Sequence, residues 1–140
     1  MERTAGILMP ISSLPGKYGI GCFNLKAYEF VDFLRDAGQT HWQILPIHPT
    51  SYGDSPYQSF STFAGNPYFI DLEALIAEGV LSNDECDSVF FGDEEDDINY
   101  AALYDGRKIL LTMAYERSRI SENPEYQKFT ADNGWWLEDY

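Results

Sequence analysis

The chain has 140 residues, 44% hydrophobic and 16% aromatic, with nine basic side chains against 23 acidic ones. That is the make-up of one globular domain rather than a disordered chain, and no apolar run reaches the roughly 20 residues that cross a bilayer. A net charge of −14 argues against nucleic acid and anionic membrane surfaces, because both need a positive footprint.

The opening segment MERTAGILMPISSLPG lacks a charged leader followed by an apolar stretch, so no secretory signal is expected. Gly6–Ile11 is a short apolar run that stops at a loop rich in Ser, Pro and Gly. Asn24 then reads as an N-cap for LKAYEFVDFLRDA, with Gly38 just past its end. Ala27, Phe30, Val31 and Leu34 recur at helical spacing, while Glu29, Asp32 and Arg35 are left for solvent. HWQILPI follows as a second apolar run. Strand, helix, strand at this spacing predicts a βαβ unit with two parallel, adjacent strands. Leu72–Glu78, with Gly79 behind it, reads as a short helix. Five acids, Asp93 to Asp97, then form a run without the spaced oxygens and turn glycine of a calcium loop; it reads as a solvated loop. Tyr104–Ser118 reads as a longer helix with a stripe of Ile109, Leu110, Met113 and Ala114, and Lys108, Arg117 and Arg119 outside it. The terminal WWLEDY carries no helix-stop signal.

In parallel α/β architectures the loops leaving the C-terminal ends of the strands form the ligand site. Two such loops are present, Ser12 to Phe23 and Pro46 to about Pro67. The second is long enough to demand a function, and Tyr52, Tyr57, Phe60 and Phe63 are too many rings for a solvated linker. Asp54, Ser55, Gln58, Ser59 and Asn66 add donors and acceptors on short side chains. Lys and Arg are absent from Asp36 through Gly106, so no cation is expected near the loop to clamp an anionic ligand. Rings with neutral and acidic hydrogen-bonding groups suit a neutral sugar. Composition alone equally allows the rings to fill the core beneath the loop.

Other chemistries find little support. His41 and His48 are seven residues apart, without a carboxylate at matching spacing, and read as structural. Cys22 and Cys86 have no neighbour at metal-ligand spacing and fit a reduced, cytoplasmic setting. YGIG does not open a helix as a dinucleotide-binding fingerprint does, and there is no phosphate-binding loop or nucleophile elbow. Glycosidic chemistry needs two carboxyl groups across the bond, and Asp54 is the one acid in an expected ligand loop.

The blocks SSLPGKYGIG and HWQILPIHPTSYGDSPYQSFSTFAGNPYFIDL closely resemble the N-terminal part of the 4-alpha-glucanotransferases, or amylomaltases, of glycoside hydrolase family 77. YDGRKILLTMAYE and FTADNGWWLEDY resemble the family more weakly. The resemblance implies an α/β fold: the N-terminal portion of a (β/α)₈ barrel, truncated, with a mainly helical insertion. Residues 1–72 would carry the first βαβ unit and the ligand-facing loops, and residues 73–140 the inserted segment. It implies transfer of α-1,4-glucan segments to glucose or another glucan by a retaining mechanism, without a cofactor or metal. The family's nucleophilic aspartate and acid glutamate have no matching motif here, so no catalytic residue is expected in this chain. Ser55 and Tyr57 match positions lining the subsites beside the reaction centre. Tyr52 matches a ring at a separate glucan contact, and Asp54 and Asn66 are expected to shape the loop. Cys22 and His48 depart from the family pattern, which more often shows Asp and a small residue there. A bare barrel takes about 250 residues, so the chain is expected to be inactive alone. The alternatives are a non-catalytic glucan-binding protein and a non-functional gene fragment.

Overall fold

The computed structural model describes residues 3–51, 53–93 and 96–140. Tyr52 and two of the five clustered acids, Glu94 and Glu95, lie outside the described residues.

Two three-residue strands, β1 (Gly6–Leu8) and β2 (His41–Gln43), pair in parallel with Ile7 opposite Trp42. The ladder gains a bond at each end, Thr40 N–H to the Ala5 carbonyl (2.9 Å) and Met9 N–H to the Gln43 carbonyl (3.0 Å). β1 is shorter than the apolar run that contains it. Pro10 has no N–H to continue the ladder, and the chain turns into a 3₁₀ turn over Ile11–Ser13.

The crossover is α1, Leu25–Asp36. Its start is fixed by the Asn24 side chain, which accepts the Lys26 N–H at 3.0 Å, and its exit by Gly38 at φ 71°. Ala27 and Leu34 are buried, and Phe30 meets the edge of the Trp42 ring at 4.9 Å. Val31, expected in the same stripe, is instead 50% exposed. It sits four residues from Ala27, on the margin of a stripe set by positions 27, 30 and 34. Ile11, Leu14 and Ala27 form a small core here, flanked by Met9, Trp42, Ile44 and Phe69.

The larger core lies under the second half of the chain and also draws in Tyr18 and Ile20 from the first loop. Helix α2 (Leu72–Ala77) is capped by Asp71 and left through Gly79. Helix α3 (Asn83–Asp87), not foreseen from the sequence, starts with a reciprocal capping box between Ser82 and Glu85. Helix α4 runs over Tyr100–Ser118, beginning four residues before the expected Tyr104, because Asn99 Oδ1 accepts the Ala102 N–H at 3.0 Å. Its buried stripe is Leu103, Gly106, Arg107, Leu110 and Ala114. The expected stripe is therefore corrected: Leu110 and Ala114 belong to it, but Ile109 is 55% exposed. Gly106 allows the contact, since a Cβ there would stand 2.6 Å from Val89 Cγ1. Helix α5 (Pro124–Leu137) opens with proline in its first turn, and the Asn123 side chain accepts the N–H groups of Glu125 and Tyr126. No helix among the described residues is long and apolar enough to cross a membrane.

Candidate functional site

The two loops leave the C-terminal ends of β1 and β2, as their parallel pairing requires, and meet there. The second loop is closed at its neck. Asn66 N–H donates to the Ile47 carbonyl at 2.8 Å, and His48 Nδ1 contacts the Ala64 carbonyl at 3.3 Å. His48 thus holds loop backbone, while His41 Nδ1 lies 2.8 Å from the Thr40 hydroxyl at the start of β2.

Within the loop, short hydroxyl side chains replace secondary structure. Ser51 Oγ donates to the Gln58 carbonyl at 2.7 Å. Ser55 Oγ accepts the Tyr57 N–H at 3.3 Å, and Ser61 Oγ accepts the N–H groups of Phe63 and Ala64. Ser and Asn compete well for backbone groups, which is why this composition can make an ordered loop without a ladder. Asp54 has φ 54°, a left-handed conformation that aspartate tolerates better than most residues, and its N–H donates to the Ser51 carbonyl at 3.0 Å. Asn66 is buried, and its side chain accepts the Tyr68 N–H at 2.9 Å.

Ser55 and Tyr57 are joined by the bond from the Tyr57 N–H to Ser55 Oγ, with Ser55 half-buried and Tyr57 73% exposed, and neither borders the space between the two loops. A cleft of about 120 Å³ lies where the loops converge, with Ser12 and Ile20 on one side and Asp54, Asn66, Tyr68 and Tyr100 on the other. Burial raises the hydroxyl pKa values of Tyr68 and Tyr100, and the negative charge of Asp54 raises them further. Both phenols therefore stay protonated and able to donate. Neither tyrosine stands out in the sequence. Tyr68 sits within the 3₁₀ turn Pro67–Phe69, just outside the loop, and Tyr100 opens a helix whose docking cannot be read from local pattern.

A second hollow of about 470 Å³ lies between the loop and α4, lined by Thr50, Phe60, Tyr104, Lys108, Tyr115 and the buried Arg107 among others. The expectation of a cation-free surrounding is thus corrected, because α4 folds back and brings two cations beside the loop. Arg107 is already engaged: its guanidinium donates to the carbonyls of Ile70 (2.7 Å) and Tyr18 (3.3 Å) and lies 5.9 Å from the Phe91 ring centre. Lys108 Nζ is 6.0 Å from the centre of the Tyr104 ring. Asp93, Asp96 and Asp97 are exposed and face the first loop across a separate hollow. Among the described residues no group of three or more His, Cys, Asp or Glu is placed to hold a metal.

Residues 9–140 match the family model for 4-alpha-glucanotransferase, glycoside hydrolase 77. The chain belongs to that family. A 4-alpha-glucanotransferase of Clostridium butyricum is 52% identical over 132 residues, 94% of this chain and 27% of the relative. One from Thermus thermophilus is 40% identical over 144 residues, covering 100% of this chain and 28% of its own length. Among solved structures, the amylomaltase from Streptococcus agalactiae in complex with acarbose superposes with a TM-score of 0.83 at 41% identity, covering 99% of this chain and 27% of that one. The chain thus spans just over a quarter of the length of these 4-alpha-glucanotransferases. Its fold, helices around one parallel strand pair, is that of the matching part of an amylomaltase.

Proposed function

We propose that the chain is the glucan-binding N-terminal portion of a 4-alpha-glucanotransferase, and that alone it binds α-1,4-glucan without transferring it. The carrying observation is the closed loop 47–66, which displays Ser55 and Tyr57 from a frame of its own hydrogen bonds, in a chain 52% identical to a 4-alpha-glucanotransferase. An exposed tyrosine ring lies well against the apolar face of a glucose unit, and hydroxyls meet its edges. Tyr52 is assigned with Ser55 and Tyr57 to sugar contact, and Asp54 and Asn66 to shaping the loop. The acarbose held by the Streptococcus amylomaltase supports a sugar partner. The strand pair joined by α1 supports the opening of a (β/α)₈ barrel, with residues 1–72 bearing the ligand-facing loops and 73–140 the helical segment beneath them. The free, buried Cys22 and Cys86 suit a reduced compartment, and we assign the cytoplasm.

Retaining transfer takes two carboxyl groups about 5 Å apart, one attacking the anomeric carbon and the other protonating the leaving oxygen. Asp54 is the one described acid on the 47–66 loop, so that pair is assigned to sequence beyond these 140 residues. A glucan lying against Ser55 and Tyr57 would meet a hydroxyl and a ring, with Asp54 as the loop's single carboxylate rather than a facing pair. Incubation with maltotriose is expected to leave it unchanged above background; a ladder of shorter and longer oligomers overturns the inactive reading.

A further inference from the structure

We propose that Trp135, Trp136 and Tyr140, at the end of α5, are positioning residues that hold the glucan-facing loop in its binding geometry through Phe60 and Phe63. This rests on the glucan-binding reading of the loop given above.

The loop's polar bonds act within it or at its neck. Among the described residues, no hydrogen bond ties positions 49–63 to another element. Tyr57 lies ten residues from Ile47 and nine from Asn66, so the neck alone leaves its ring at the end of two long arms. The anchor beyond the neck is aromatic. Phe63 meets Trp135 edge-on at 4.8 Å and Trp136 at 5.7 Å. Phe60, three residues from Tyr57, stacks on Tyr140 at 5.7 Å with the rings 13° from parallel.

The α5 side of the contact is itself braced. Trp136 packs edge-on against Phe129 at 6.5 Å and Tyr140 at 6.2 Å, and its indole N–H donates to Asn133 Oδ1 at 3.0 Å. α5 buries no residue completely, and Trp135 (68%) and Tyr140 (53%) stay more than half exposed while touching Phe63 and Phe60, so these rings meet the loop at the surface and not in a core. Edge-on and offset ring pairs attract beyond their buried area, and they fix an angle as well as a distance. The helix end therefore sets where Phe60 and Phe63 stand, and through them where Tyr57 points.

The test uses the 140-residue chain and amide hydrogen exchange, with maltoheptaose titration alongside. In Phe63→Ala and Trp136→Ala, exchange across residues 51–63 is expected to rise about tenfold, while α4 keeps wild-type protection. Trp136→Phe, which keeps a ring, is expected to restore most of the protection. Maltoheptaose affinity is expected to fall by about three- to tenfold in the alanine variants. Unchanged loop exchange in both alanine variants overturns the proposal. So does an equal rise across α4, because the cluster would then serve the fold as a whole. If Phe63→Ala does not fold, Phe60→Ala and Tyr140→Ala make the same test at the other ring pair. Loop exchange that responds as expected, in a wild type that binds no maltoheptaose, upholds the clamp and defeats the glucan reading.

Discussion

Arg107 joins three parts of the chain. It is 2% exposed and has no carboxylate partner among the described residues; its guanidinium donates to a carbonyl of the first loop and to one just before α2. Burial lowers its pKa from the ordinary guanidinium value, yet arginine stays charged in proteins. The two carbonyls and the Phe91 ring offset part of the cost of a buried cation, while Nε has no hydrogen-bond partner among the described residues. Arg107→Ala removes the donors and leaves the Ile70 and Tyr18 carbonyls inside. Urea denaturation is expected to show a loss of about 3 kcal/mol, from roughly 1–3 kcal/mol for each abandoned acceptor; a loss under about 1 kcal/mol contradicts the role. At this scale the sequence speaks where a residue acts on its own neighbours. Asn24 caps two residues on and Gly38 supplies the left-handed exit of α1, as composition suggests. Arg107 acts at separations of 37 and 89 residues, and nothing around it in sequence marks it as core.

Among the elements, α3 and α4 are joined by an ion pair with a readable pH signature. Arg117 Nη2 lies 2.7 Å from Glu85 Oε1, its other terminal nitrogen contacts Oε2 at 2.9 Å, and the same arginine reaches the Val80 carbonyl. Arg117 above all, and then the Ser82 N–H, hold the Glu85 carboxyl down at about 2 from an ordinary 4.5. A carboxyl depressed by folding stabilises fully above its unfolded pKa, and the contribution is lost as pH falls towards the folded one. The melting temperature is therefore expected to fall between about pH 4.5 and pH 2 by more in the wild type than in Glu85→Gln. Parallel pH profiles for the two proteins would contradict this. α3 was missed because five residues are too few to show a period, although Ser82 and Glu85 have the spacing of a capping box. The start of α4 was missed because its buried stripe, which begins at Leu103 in the first turn, continues through a glycine and an arginine, which no hydrophobic pattern selects.

Across the whole molecule, the acidic excess and the aromatic content have separate places. Asp93, Asp96 and Asp97 stay in solvent, while rings gather around the closed loop and the end of α5. Ile7, Leu8, Phe33 and Tyr28 are 41–71% exposed along β1 and α1, on a two-stranded parallel sheet of a kind ordinarily covered on both faces. These exposed apolar side chains accord with a chain spanning 27% of its relatives' length. The βαβ unit and the loop were legible because each rests on local signals: apolar runs, a cap, and a loop too aromatic to be a linker. The way the end of α5 meets that loop was not, since it depends on ring contacts between residues about 70 apart in sequence. Those contacts matter only if the loop meets a sugar. The most direct measurement is a calorimetric titration of the chain with maltoheptaose, wild type beside Tyr57→Ala. Saturable binding that weakens about tenfold or more in the variant, one ring contact's worth, is the expected result. No heat of binding in the wild type, or equal affinity in both, would contradict a glucan-binding loop.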